Sequence, residues 1–287
     1  MKHAIKAIVA VMMLALAGVA QTTGAHAPQI TNGTLQKRSA ASGLDAAIAA
    51  AIKEQGNKTF WIGYEVATKL SDRMMCCFNS INYAGKQCCG GCRLEGEHGA
   101  GFNGTINGTT GDCADRPEYN YFFVMARVVP ADTPPVAKIR SFSPDCQLDA
   151  VNLPVIWLTD VSAPQSIAWL KQQVTRGDKK ADDSALHAIA LHEHPSVDSV
   201  LEEMTAASNV ERLRKQAAFW LGLERGRRGY EIVRKLAFNP QESDRFREHL
   251  TFVLSQSHEK EAMEDVIRMA RTDTSERVRG QALFWLA

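Results

Sequence analysis

Seven cysteines (Cys76, Cys77, Cys88, Cys89, Cys92, Cys113 and Cys146) lie within seventy-one residues of a 287-residue chain, and none follows them. Thiols clustered in this way support three chemistries: disulfide pairing, a thiolate metal site, or redox exchange through a C-x-x-C couple. Cys89-Gly90-Gly91-Cys92 supplies one such spacing. A second zinc pair would have to come from adjacent cysteines, which rarely aim both sulfurs at one ion. A redox couple needs a helix starting at its first cysteine, which Gly90 and Gly91 oppose. A disulfide framework is the preferred reading. Seven is odd, so one thiol stays unpaired or bridges chains, and spacing does not select the pairing.

A second set of candidate ligands is His192-Glu193-His194 and His258-Glu259, 66 residues apart. Paired His-Glu motifs on helical repeats resemble the di-iron deoxyhypusine hydroxylases. In those enzymes the motif lies inside a first helix, at the place held here by Gln216, Glu248 and Gln281, and Glu224-Arg225 interrupts the series. The motifs are therefore read as polar loops. Arg225, Arg227 and Arg228 form a basic turn ahead of Arg234 and Lys235 that could grip an acidic partner, with Glu224 and Glu231 flanking it. No nucleophile elbow, phosphate loop, zinc-protease or dinucleotide fingerprint is present, so no catalytic residue is assigned and no cofactor is expected.

The environment decides how the cysteines behave. A short basic lead, "MKHAIK", precedes the apolar run "AIVAVMMLALAGVA", which ends in small residues. This pattern is that of a secretory signal peptide, too short to span a bilayer as a helix. Cleavage after Ala20 or Ala25 is expected, residues 1–27 form the signal and cleavage region, and the mature protein is periplasmic or extracellular. Net charge is +1, which leaves no global field for nucleic acid or an anionic membrane. A protein partner is expected and a small-molecule substrate is not.

The elements that would position such residues are clearest in the C-terminal half. "LRKQAAFWLG" from Leu213, "FREHLTFVLS" from Phe246 and "VRGQALFWLA" from Val278 align at offsets of 33 and 32. Apolar positions recur in step: Ala217, Leu250 and Ala282; Phe219, Phe252 and Phe284; Leu221, Leu254 and Leu286. Second segments keep the same step at Val197, Tyr230 and Met263 and at Val200, Val233 and Val266. Spacing within a segment is helical, with Ser208 and Glu211 as a capping box and Gly222 as a left-handed stop. Each unit reads as a helical hairpin that must stack on its neighbours. The V/L-R-x-x-A-x-x-x-L-G pattern resembles the short HEAT repeat of bacterial proteins. That resemblance implies a right-handed solenoid that binds a macromolecule on its concave face. Its second helices would line that face, making Glu231, Lys235, Glu264, Arg268 and Arg271 contact candidates. The last repeat reads as incomplete, since Phe284, Trp285 and Leu286 lack a covering helix.

The expected architecture is α+β: a small disulfide-rich antiparallel β module over 43–162, after a flexible linker at 28–42, followed by an all-α HEAT-type solenoid over 163–287. Within the module, Gly43 to Gln55 reads as a helix. "TFWIGYEVA" alternates, with Phe60, Ile62, Tyr64 and Val66 on one face and Trp61 and Glu65 on the other. "EYNYFFVMARVV" is apolar on both faces and pairs with "VAKIRSF" as a hairpin. The whole is similar to exported bacterial proteins with a Cys-rich module before HEAT repeats. It points to a non-catalytic adaptor or scaffold, with a metal-binding or thiol-redox protein centred on the cysteines as the alternative.

Overall fold

The computed structural model describes residues 26–68, 73–76, 79–82, 87–95, 108–112, 119–175 and 179–287. The expected signal peptide lies outside them, as do Cys77 and Cys113.

A five-stranded sheet organises the N-terminal half. Strands β2 (Thr34–Ser39), β3 (Phe60–Ala67), β8 (Tyr121–Val128), β9 (Val136–Phe142) and β11 (Pro154–Thr159) lie in the order β2-β11-β3-β8-β9. Helix α1 (Leu44–Gln55) carries the chain from β2 to β3, and β11 inserts between these two, parallel to both. This is a split β–α–β unit. The β3, β8 and β9 strands run antiparallel, as their alternation and the turn between β8 and β9 suggest. The sheet is thus mixed, which corrects the expectation of an antiparallel module.

Both faces of the sheet's inner strands are covered, which is why β3, β8 and β11 are apolar almost throughout. Phe60, Ile62, Tyr64 and Val66 of β3 face α1 and helix α2 (Ala163–Val174), within one core cluster. Trp61 joins Phe123, Met125 and Trp157 in a second cluster on the other face. That cluster is closed by Leu148, Cys92 and Cys146 from a smaller mixed sheet. Its strands are β1 (Gln29–Thr31), β6 (Gln87–Arg93), β7 (Gly108–Asp112) and β10 (Gln147–Asp149), ordered β1-β10-β6-β7. A hairpin of β4 (Arg73–Cys76) and β5 (Asn79–Asn82) stands beside it. Residues 28–42, expected as a linker, instead supply an edge strand to each sheet. These edges are short and polar, so nothing apolar in them signals burial.

The C-terminal half is an all-α run of stacked helical hairpins. They comprise α3 (Lys179–Leu191) with α4 (Ser196–Met204), α5 (Glu211–Glu224) with α6 (Gly226–Ala237), α7 (Asp244–Ser255) with α8 (Ala262–Thr272), and α9 (Glu276–Leu286). Ala217, Leu250 and Ala282 are fully buried in step, as the offsets require. An arginine at the matching position of α5 and α7 ties successive hairpins. Arg214 Nη2 meets Glu242 at 2.5 Å and its Nε donates to the Thr205 carbonyl, while Arg247 Nη1 meets Asp273 at 2.6 Å. Each pair is buried and ties one hairpin to the loop leading into the next. One apolar cluster runs from the helix-covered face of the sheet through α9.

Three local expectations are revised. Val210, not Ser208, occupies the N-cap of α5, with no side-chain cap; the capping box is at Ser162 and Gln165 of α2. Gly222 is inside α5, where a Cβ would meet Val253 Cγ1 at 2.4 Å, and the left-handed residue is Gly226 at φ 50°. Helix α8 turns Ala262, Val266 and Met269 inward, which leaves Met263 44% exposed.

The α5–α6 turn is the tightest packing test in the solenoid. A Cβ at Gly229 would fall 1.9 Å from the Leu221 carbonyl oxygen, a backbone atom that cannot step aside. Gly280 of α9 has nothing within 4 Å of its added Cβ. Gly229→Ala should cost about 2–3 kcal/mol, whereas Gly280→Ala should stabilise by up to about 1 kcal/mol. Urea unfolding checks both, and a wild-type midpoint for Gly229→Ala would contradict the tight turn.

Candidate functional site

The solenoid presents two chemically different faces. Successive first helices pack on one another, α3 on α5, α5 on α7 and α7 on α9. The second helices touch little: α4 meets α6 slightly, and α6 is bridged to α8 by side chains such as Arg227–Glu261 and Arg234–Asp265. Closer spacing along the first helices makes theirs the shorter, inner arc. The sequence placed the candidate contacts on the second helices, whereas the closer packing is along the first.

Aromatic side chains run along the inner arc, one or two per helix. His187 stacks on Trp220 at 4.2 Å, Phe219 lies parallel to Phe252 at 5.8 Å, and Phe252 meets Trp285 at 4.9 Å. These rings are half-buried, whereas Phe284 is 66% exposed. Between α5, α7 and α9 lies a cavity of about 460 Å³ lined by Lys215, Arg245, Glu248, His249, Phe252, Arg277, Gln281 and Trp285. Two of the three positions compared with a His-Glu motif, Glu248 and Gln281, are therefore groove residues. Lys215 and Arg245 share Glu211, at 2.8 and 3.1 Å, and Arg277 pairs with Glu248. His249 Nε2–H donates to the Lys215 carbonyl at 2.9 Å, and burial lowers its pKa, so the ring is neutral near pH 7. The Trp285 indole nitrogen has no hydrogen-bond partner among the described residues. The aromatic row was legible in the sequence as core; its half-exposure was not, because periodicity marks a stripe without showing its edge.

The second-helix face is a lattice of ion pairs. Arg225, read as a free basic loop residue, is turned inward: Nε meets Asp198 at 2.6 Å, and Nη1 donates to the Ala190 and His192 carbonyls. The "loop" is the first turn of α6. Arg227 bridges Glu231 and Glu261, and Arg228 approaches Glu202 at 3.9 Å. Arg268 lies over the Phe238 ring at 4.6 Å. Lys235, Glu264 and Arg271 are exposed on α6 and α8.

Among the cysteines, Cys76 sits on β4, and Cys88, Cys89 and Cys92 share β6. Cys92 is buried and disulfide-bonded, and Cys146 is buried beneath the smaller sheet. The side chains of Cys76, Cys77, Cys88, Cys89 and Cys113 lie outside those described, so the expected disulfide framework lies largely outside them as well. Among the described residues, no group of three or more His, Cys, Asp or Glu side chains is placed to hold a metal ion. No helix among them is long and apolar enough to cross a membrane.

His192, expected on a polar surface, is instead fully buried at the junction of the two halves. Its Nδ1 lies 2.6 Å from the Ala188 carbonyl and its Nε2 lies 2.8 Å from Ser166 Oγ, which is 2.9 Å from the Tyr64 hydroxyl. A carbonyl accepts only, so Nδ1 carries the proton and Nε2 accepts from Ser166, which leaves Tyr64 to donate to Ser166. All three side chains are inaccessible, so this Ser–His contact binds β3, α2 and α3 together and is not a nucleophile. Nearby, the Glu193 N–H donates to the Ala67 carbonyl of β3.

No protein-family model matches the chain, and no curated protein matches it. Human deoxyhypusine hydroxylase in complex with glycerol is similar at 13% identity and a TM-score of 0.34, over 42% of this chain and 42% of that one. The CpcE–CpcF complex of phycocyanin lyase from Nostoc sp. PCC7120 is similar at 15% identity and a TM-score of 0.32, over 44% of this chain and 86% of that one. Neither likeness bears on activity.

Burial lowers the pKa of His192 from 6.5 to about 4, and the nearby His194 and Arg225 act in the same direction. Between those values the unfolded chain binds a proton that the folded chain refuses. The stability is full above pH 6.5 and is lost as pH falls towards 4, on the order of 3 kcal/mol. Melting temperature recorded across that range should fall, and His192→Asn should flatten the fall while lowering stability at pH 7. An unchanged pH slope in the variant would show that other groups govern it.

Proposed function

We propose that this chain is an exported, non-catalytic scaffold that holds another protein against the first-helix face of its solenoid. The observation that carries this reading is the row of half-buried rings from His187 to Trp285, with exposed Arg245 and Arg277 at its edge. Aromatic residues and arginine are the side chains in which protein interfaces are enriched, and a ring already partly ordered loses little entropy on contact. The rim is close to balanced in charge, which suits a folded protein better than a polyanion. Export is supported by the N-terminal sequence pattern. The alternative, metal or thiol-redox chemistry at the cysteine-rich module, rests mainly on side chains outside those described.

Charge reversal at exposed positions tests the face without disturbing the core, because exposed ion pairs contribute only about 0–1 kcal/mol. Tagged wild-type protein, Arg245→Glu/Arg277→Glu and Lys235→Glu/Arg271→Glu would each be used to capture partners from the native cell envelope. The reading expects one specific protein retained by the wild type and by the second-helix variant, and lost by the first-helix variant. Loss only in the second-helix variant would move the site to the outer arc. No specific protein in any arm would end the scaffold reading.

A further inference from the structure

At the first described residue, two nitrogens of one side converge on a single oxygen. The His26 backbone nitrogen and its imidazole Nδ1 each lie 3.0 Å from Glu65 Oε2. Glu65 projects from β3 on the Trp61 side, and its side chain is only 10% exposed. The imidazole stacks on Tyr121 with centroids 4.3 Å apart and planes within 9°, which holds the rotamer that brings Nδ1 beside the backbone nitrogen. Behind it, Pro28 is buried and Ala27 packs against the inter-sheet cluster. A carboxylate this buried normally has a full positive charge beside it. The nitrogens that face it are one peptide N–H and one imidazole, both of His26.

Cleavage after Ala25 changes that nitrogen from an amide into a primary amine. The α-amine and Nδ1 of one histidine close a six-membered chelate ring around a metal. Ligands in adjacent positions, with bonds of about 2.0–2.1 Å, stand roughly 2.9 Å apart, close to the 3.0 Å that separates each nitrogen from Glu65 Oε2. A set of two nitrogens and one carboxylate oxygen with open positions suits tetragonal copper(II). A count of side chains misses the site, because one of its three donors is the main chain.

We propose that cleavage after Ala25 makes His26 the first residue of the mature protein and that its α-amine, its Nδ1 and the Glu65 carboxylate bind copper(II). The site rests on the export reading, which creates the amine. Tyr121 positions the ring. Binding displaces the proton of the ammonium group, so affinity rises with pH up to the range where an α-amino group titrates.

The experiment uses two chains, one released from a fusion so that His26 is first and one retaining an N-acetylated Ala25 ahead of it, each titrated with copper(II) alone. The acetylated Ala25 removes every free amine near His26 and leaves the folded residues unchanged. The His26-first chain should take up one copper(II) per chain, with nitrogen hyperfine structure in its electron paramagnetic resonance spectrum. The Ala25-bearing chain and Glu65→Gln should each bind about tenfold weaker or worse. Equal binding by both chains, or affinity unchanged by Glu65→Gln or by unfolding in urea, would reveal ordinary peptide chelation and overturn the site. Amino-terminal sequencing of the exported protein separates the two readings. His26 first supports both; Gln21 first overturns the metal site and leaves export standing; an unprocessed cytoplasmic chain overturns both.

Discussion

A hairpin of two short helices has more apolar surface than its own partner helix can cover, and this shortage shapes the C-terminal half. Burial of Ala217, Leu250 and Ala282 in step shows each first helix covered by the hairpin beside it as well as by its own mate. Stacking relieves the shortage only if successive hairpins keep one rotation. The buried arginines supply that. Arg214 and Arg247 each span from a first helix to a carboxylate in the next loop, Glu242 or Asp273. A greasy contact tolerates sliding; a buried guanidinium that reaches a carboxylate and a second acceptor at once does not.

The same shortage arises at the start of the stack, where no earlier hairpin exists. Here the five-stranded sheet takes that place. Its helix-covered face continues into the solenoid core, so α2 and α3 have one side on strands and the other on helices. Sheet and helix surfaces do not share a natural register, because one has period 2 and the other 3.6. The polar relay through Tyr64, Ser166 and His192 lies at that mismatch and offers only one arrangement in which every proton has an acceptor. Apolar packing makes the junction stable; the relay makes it singular.

What the sequence revealed follows from how each signal arises. The step of 33 is visible because the same burial problem recurs, and the alternation in β3 and β8 is visible because each face meets a different layer. Strands β1 and β2 left no such mark, since an edge strand can be polar and still hydrogen-bond through its backbone. Gly222 was misread because a glycine near a helix end looks the same whether it turns the chain or admits a neighbour such as Val253. His192 was misread because "HEHP" is polar by composition, while burial of its first histidine depends on strands more than a hundred residues earlier. The candidate groove was half legible: its rings were identified, but not which of them stand at the edge.

The two faces of the solenoid use charge in opposite ways, and this difference bears on function. On the outer arc most charges are spent within the chain: Arg225, Arg227 and Arg234 each answer a carboxylate on a neighbouring hairpin. Wide separation of the second helices makes such bridges necessary, because side chains must span what backbones do not. On the inner arc the helices are close enough to pack directly, so rings and short aliphatic groups suffice there and charges move to the rim. A surface already stabilised by its own ion pairs must break them to accept a partner, and each broken pair opposes binding. The inner rim has ion pairs too, Arg245 with Glu211 and Arg277 with Glu248, but they flank half-covered rings and do not lie across them. On the proposed scaffold reading, the spacing that the repeats impose therefore also decides which face would meet a partner.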